Sequence, residues 1–390
     1  MIREKIDQAQ AILREEGIDL WLTFVRESEV NGDPVLDLIL GANCTWHSAF
    51  IIPAEGKSIA VVGSLDETRI RETGGYNVIG YTKSIKEPLL RELDRMAPRS
   101  IALNFSEDAY MADGLSHGLF LTLTKYLAGT PFGERLVSSE NIVAKLRGRK
   151  SPEEVRRIRA AVAATEEIFS LASKIMKPGL TEKDIASFIL EEVDRRGLET
   201  AWERELCPSV FTGPESAGAH AGPTDRAIEP GHVLNIDFGV KLDEYVSDLQ
   251  RTWYFLRPGE RTAPAEVQEA FETIRDAIAL AAEKIRPGME GGSVDSIART
   301  HITSRGYAEF PHALGHQVGR HAHDGAGLLC PEWERYGNLP YLAIEEGQVY
   351  TLEPRIILPG FGVATMEEII VVRPNGGEFL SHPQRELYLV

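Results

Sequence analysis

The chain has 390 residues, 26% of them charged, with 59 acidic against 42 basic side chains and a formal net charge of −17. That length accommodates two domains. The acidity excludes a nucleic-acid partner, whose phosphates need an excess of Lys and Arg, and gives no reason to expect an anionic membrane surface.

In chain order, the first segment, Met1-Ile-Arg-Glu-Lys-Ile-Asp, is charged and lacks the apolar core of a signal peptide. No stretch approaches the roughly 18 apolar residues of a membrane span. Cys44, Cys207 and Cys330 are too few and too scattered for a disulfide framework or a thiolate zinc site. A soluble enzyme of the cytoplasm is expected, with no membrane partner. The spacing of Ile2, Ile6, Ala9 and Leu13 predicts a helix closed by Gly17. Strands are predicted at Leu20–Phe24, Ala49–Pro53, Ser58–Val62 and Ser100–Leu103, with a helix over Ser84–Met96 between them. This alternation predicts an N-terminal α/β domain over residues 1–148, followed by a second domain over 149–390.

The second domain opens on Ser151-Pro152-Glu153-Glu154, which combines an N-cap Ser, a Pro at the first helical position and a Glu that completes a capping box. The helix is predicted to run to about Met176. Next, Lys174-Ile-Met-Lys-Pro-Gly179 recurs as Lys284-Ile-Arg-Pro-Gly288, and each copy is followed at the same distance by Arg-Gly. Both intervening segments carry helical apolar spacing: Ile185, Phe188, Ile189 and Val193 in one, Val294, Ile297, Ala298 and Ile302 in the other. Each leads into a β region rich in acids. Two pseudo-symmetric halves with a site in the cleft between their sheets are expected, as against two unrelated helix pairs.

The first β region reads as a hairpin. Leu234, Ile236 and Phe238 alternate with Asn235, Asp237 and Gly239, and strand formers return at Tyr245–Leu249 and Thr252–Phe255. A turn centred between Leu242 and Asp243 sets Asp237 opposite Asp248, with Cβ atoms roughly 5 Å apart. Like charges so placed call for a cation between them; the alternative is a solvated hairpin with two unrelated acids. The second region holds His316 within His312-Ala-Leu-Gly-His-Gln-Val-Gly-Arg-His-Ala-His323, then Glu353 and Glu367 flanking the turn Pro359-Gly-Phe-Gly362. A hairpin centred on Gly360 sets Glu353 opposite Glu367. One imidazole and four carboxylates suit two borderline-to-hard divalent ions, with Mn²⁺, Co²⁺ and Zn²⁺ all compatible.

The order Asp-x-Gly, Ser-Asp-x-x-Arg-Thr, His-x-x-Gly-His, Leu-Glu-Pro and a final strand-opening Glu resembles the pita-bread metallopeptidases of the prolidase, aminopeptidase P and methionine aminopeptidase group, over the whole chain. The resemblance implies an α/β two-domain chain. Its N-terminal part is a creatinase-like α/β domain that supports oligomers and shapes the substrate site, and its C-terminal part is a pita-bread α+β domain with a pseudo-twofold repeat. It implies Asp237, Asp248, His316, Glu353 and Glu367 as metal ligands, two divalent ions with Mn²⁺ favoured, and a homodimer. It further implies Glu353 as general base, and His220, His312 and His323 as histidines that line the substrate pocket and assist turnover. The activity expected is hydrolysis of the Xaa-Pro bond, as a dipeptidase in preference to an aminopeptidase P. A metal-free creatinase-type hydrolase and a non-catalytic binding relative are the remaining alternatives.

Two departures from the family pattern bear on substrate handling. Arg355-Ile356-Ile357 follows Glu353-Pro354 where Gly-x-Tyr is usual, and Thr365 stands where an Arg is usual two residues before the second Glu. A group that meets the substrate carboxylate must then come from elsewhere: Arg355, Arg320 or the N-terminal domain of a partner subunit. The segment Leu328–Gly337 is longer than usual and is expected to shape the pocket.

Overall fold

The computed structural model describes residues 1–107, 109–214 and 222–390. The chain divides into two compact units, Met1–Arg147 and Gly148–Val390.

In the first unit, α1 (Ile2–Glu16) ends on Gly17, whose φ of 68° is the left-handed cap that glycine takes without strain. Strands β1 (Leu20–Val25), β2 (Ser48–Pro53), β3 (Ile59–Gly63), β4 (Asn77–Tyr81), β5 (Ile101–Leu103) and β6 (Leu136–Ser138) form a six-stranded sheet in the order β4-β3-β2-β1-β5-β6. Helices α2 (Leu36–Ile39), α3 (Glu67–Glu72), α4 (Lys86–Met96), α5 (His117–Leu127) and α6 (Glu140–Gly148) connect and cover it. The inner strands β1, β2, β3 and β5 read as largely apolar runs because both faces are buried, whereas the edge strands β4 and β6 are partly exposed. Trp21 and Val25 of β1 join one core with Ile6, Ala9 and Leu13 of α1. Leu20, Leu22 and Phe24 join the other with Leu89, Leu93, Leu119 and Leu123.

The second unit contains two helix pairs. Helix α7 (Pro152–Ile175) starts on the predicted capping box, with Ser151 and Glu154 each bonding the other's backbone N–H, and is followed by α8 (Glu182–Arg195). Helices α9 (Ala265–Lys284) and α10 (Gly291–Ser304) form the second pair. α8 and α10 are each 14 residues long and begin three residues after Gly179 and Gly288, whose φ angles are 91° and 87°.

The first pair leads into β7 (Glu199–Thr200), β8 (Ser209–Thr212), β9 (Val233–Phe238), β10 (Val240–Leu242), β11 (Tyr245–Val246) and β12 (Leu249–Tyr254). The second leads into β13 (Gly315–His316), β14 (Leu328–Leu329), β15 (Val349–Leu352), β16 (Arg355–Leu358), β17 (Gly362–Thr365), β18 (Glu368–Arg373), β19 (Gly376–Phe379) and the terminal β20 (Tyr388–Leu389). β8, β9 and β12 are antiparallel neighbours, with β20 parallel to β12. A two-way backbone bridge between Gln250 and Glu367 joins this sheet to the hairpin of the second half.

The second hairpin has the predicted register. Arg355 pairs with Thr365 in β16–β17, and Leu352 with Glu368 in β15–β18, so Glu353 faces Glu367 along one uninterrupted register. The first hairpin departs from prediction. Its two-residue turn is Asp243-Glu244, both left-handed at φ 49° and 68°, and it pairs Leu242 with Tyr245. Asp237 therefore lies opposite Gln250, not Asp248. The offset is two residues, an even number, so Asp248 stays on the face that carries Asp237.

Candidate metal centre

Five backbone segments bring the predicted ligands together. Asp237 comes from β9 and Asp248 from the residue before β12. Gly239 permits the close approach between these segments, since a Cβ there would sit 1.9 Å from the Ser247 carbonyl oxygen. His316 lies beside β15: the His316 N–H donates to Thr351 Oγ1 at 3.1 Å and the Glu353 N–H donates to the Leu314 carbonyl at 2.7 Å. Gly315 is needed there for a similar reason, because a Cβ would fall 1.9 Å from the Thr351 carbonyl oxygen.

His316 Nε2 lies 3.8 Å from Asp248 Oδ2, 3.5 Å from Glu353 Oε1 and 3.9 Å from Glu367 Oε1. Asp248, His316 and Glu367 each present a donor atom within 4.8 Å of the others. Asp237 completes the cluster, its charge acting on Asp248, Glu353 and Glu367. Burial raises the pKa of all four carboxyls, and for Asp248, Glu353 and Glu367 the neighbouring acids push in the same direction. Asp237 is pushed up to about 7. Among the described residues, the buried Asp237 Oδ1 and Glu367 Oε1 have no hydrogen-bond partner. Orphaned acceptors beside an imidazole nitrogen, in a cluster whose charges repel, fit divalent cations.

The carboxylates differ in access. Glu353 keeps 20% of its side chain exposed, whereas Glu367 keeps 2%. Gln250 donates from Nε2 to Glu367 Oε2 at 2.9 Å, and Arg251, in a buried ion pair with Glu368, donates to the Glu367 carbonyl at 3.1 Å. Thr365 is buried and donates to Gln250 Oε1 at 3.0 Å.

The His323 ring lies edge-on to His316, with centroids 4.2 Å apart. His312 directs Nδ1 at the Ala313 carbonyl, 2.8 Å away. Its backbone is held by Arg299, which donates to the Phe310 and His312 carbonyls, while Asp295 accepts from the Leu314 N–H. His220 lies outside the described residues. Among the described residues, buried Glu182 accepts from the Thr212 and Thr224 N–H groups. The sequence reading passed over these two anchors, although Asp295 and Arg299 stand at helical i, i+4 spacing.

The two in-chain arginines diverge. Arg320 lies 3.2 Å from Glu244 and stacks over Tyr245. Arg355 is partly buried, its burial lowers its pKa, and its Nε has no hydrogen-bond partner among the described residues. Two residues from Glu353, and opposite Thr365, it falls on the carboxylate face of the hairpin.

Comparison with known proteins matches this architecture. The sequence profile of metallopeptidase family M24 matches residues 156–374. An uncharacterized peptidase, YqhT, of Bacillus subtilis (strain 168) is 30% identical over 65% of this chain and 68% of its own length. The Xaa-Pro dipeptidase of Lactobacillus helveticus is 30% identical over 64% of each chain, so the match spans about two thirds of these relatives. The solved Xaa-Pro dipeptidase from Bacillus anthracis superimposes with a TM-score of 0.76 at 21% identity, covering 100% of both chains. Its pita-bread fold is the fold of this protein. The chain is a member of metallopeptidase family M24.

Proposed function

We propose that this metallopeptidase hydrolyses the Xaa-Pro bond of dipeptides, with two divalent ions held by Asp237, Asp248, His316, Glu353 and Glu367. The observation that carries the proposal is the convergence of one imidazole and four carboxyls, two of them with orphaned oxygens. Divalent ions in such a site lower the pKa of water toward neutrality and polarise a carbonyl oxygen. The family resemblance favours Mn²⁺, while the ligand set is equally compatible with Co²⁺ or Zn²⁺.

Glu353, with more of its side chain exposed than Asp248, His316 or Glu367, takes a proton from water and returns it to the leaving nitrogen. His323, held against His316, and His312 and His220 donate to the oxyanion or to the leaving group. An imide nitrogen before proline has no N–H for a strand-like substrate contact, so recognition falls on the free carboxylate that follows proline. Arg355, a half-buried guanidinium on the carboxylate face, is the group we assign to it. The N-terminal unit is proposed to support a homodimer and to shape the substrate site.

The test is turnover of Ala-Pro against Ala-Pro-Ala by chelated protein reloaded with Mn²⁺, Co²⁺ or Zn²⁺. The dipeptide should be hydrolysed far faster, and only after reloading. Comparable rates on both would move the assignment to an Xaa-Pro aminopeptidase. Activity that survives complete metal removal would point to creatinase-type chemistry.

A further inference from the structure

The register of the two hairpins creates a row of side chains across four adjacent strands. Asp237 is opposite Gln250, Gln250 is bridged to Glu367 by reciprocal backbone bonds of 3.4 and 3.3 Å, and Glu367 faces Glu353 along the second hairpin. Lateral neighbours in such a row share one face of the sheet. Three of the four are acids that the proposed function makes ligands. Gln250 is the neutral member, and only 2% of it is exposed.

Its amide has a determined orientation. Thr365 Oγ1 has two acceptors in reach, Gln250 Oε1 at 3.0 Å and the Pro354 carbonyl at 3.2 Å; donation to the nearer turns the Gln250 NH₂ group toward Glu367 Oε2, 2.9 Å away. The other oxygen of Glu367, Oε1, is the buried one without a hydrogen-bond partner among the described residues, and it lies 3.9 Å from His316 Nε2. One oxygen is tied to an amide and the other is aimed at the imidazole.

We propose that Gln250 is a positioning residue. Oriented by Thr365, it holds Glu367 so that Oε1 points into the ion site, and it does so without adding a fifth negative charge. Thr365 and Gln250 thus act as a pair, and their identities specify ion affinity. The inference rests on Glu367 being a ligand.

Manganese titration by calorimetry, beside kcat, on chelated protein tests the pair. Gln250→Leu should bind Mn²⁺ about 10–100-fold more weakly, the range typical of groups that orient ligands. Thr365→Val should weaken binding in the same direction, and Thr365→Ser should restore it, which a purely structural role would not predict. Thr365→Val leaves residue 250 intact and reads the same contact if Gln250→Leu fails to fold. Mn²⁺ affinity within about threefold of wild type in both variants, while Glu367→Gln loses the ion, would overturn the positioning role alone. Normal Mn²⁺ binding by Glu367→Gln would overturn the ligand assignment and this inference with it.

Discussion

The two halves of the catalytic unit use one backbone plan and two different hairpins. The Gly179 N–H donates to the Ile228 carbonyl at 2.9 Å, and the Gly288 N–H to the Ile344 carbonyl at 2.8 Å. The return bonds, Ile228 N–H to Leu180 and Ile344 N–H to Met289, are both 2.8 Å. Five residues after each Ile comes a strand-opening Val, Val233 or Val349, and four residues later an acid, Asp237 or Glu353. Beyond that point the halves diverge. In the second, the residue opposite the acid is Glu367; in the first it is Gln250, and the acid has moved two residues earlier to Asp248. The equivalent positions, Gln250 and Glu367, meet at the junction of the halves. A repeat can therefore build an asymmetric ion site by shifting one carboxylate by an even number of residues.

If both halves contribute ligands, removing one carboxylate from either should have the same consequence. Asp248→Asn and Glu367→Gln should each lose bound metal, and kcat should fall by more than the roughly 10²–10⁴-fold that loss of a general base costs. His220→Ala and His323→Ala should keep the metal and lose turnover. Metal analysis beside kcat separates the classes, and a fully active His323→Ala would remove that residue from the pocket. An Asp248→Asn effect with an inert Glu367→Gln would confine the site to the first half.

Stability should respond differently in the chelated and loaded protein. The folded-state pKa values of the four clustered carboxyls lie above their unfolded values, so the native state retains protons that the unfolded chain releases. For Asp237 the stabilising contribution is complete below about pH 4 and is lost as pH rises through about 7; Asp248, Glu353 and Glu367 act in the same direction. Chelated protein should therefore lose Tm across that window on account of these groups. Loaded protein should not, because cations replace the protons. At neutral pH, an ion at a hundredfold excess over its Kd should raise Tm by about 5–10 °C. Equal melting temperatures with and without chelator, after confirmed removal, would sink the ion site.

Arg355 lies on the second hairpin, whereas at the turn of the first Arg157 and Arg320 engage Glu244. Arg355→Ala should raise KM for Xaa-Pro dipeptides by about 10–100-fold, as expected for a charged hydrogen bond. KM for tripeptides should change little, and equal changes on both substrates would deny Arg355 the carboxylate.

Much of this arrangement was legible in the residues. The capping box at Ser151 announced α7, Pro-Gly punctuation marked α8 and α10, and Pro359-Gly360 centred the second hairpin where it is observed. The register of the first was not legible, because Asp243-Glu244 is not the Asn-Gly or Asp-Gly signal of a two-residue turn. The importance of Gln250 was also invisible: an isolated Gln in a strand carries no signal, and its partner Glu367 is 117 positions away. Contacts between the halves are set by sheet register across their junction, which no local pattern encodes.

The smallest effect concerns the turns themselves. Gly360 sits at φ 84° with open space where a Cβ would go, so Gly360→Ala introduces strain without a clash. It should cost about 1 kcal/mol, the penalty of a left-handed backbone for an L side chain. In the first hairpin that strain already exists at Glu244, φ 68°. Glu244→Gly would relieve it, but it would lose the contacts with Arg320 at 3.2 Å and Arg157 at 3.9 Å. With Glu244 itself 59% exposed, these pairs contribute about 0–1 kcal/mol, and the added glycine raises unfolded-chain entropy by a similar amount. The opposing terms should leave Glu244→Gly within about 0.5 kcal/mol of wild type, measured by denaturant midpoint. A loss at Glu244 as large as that at Gly360 would mean that the Arg320 contact, rather than the turn geometry, holds the first hairpin in its register.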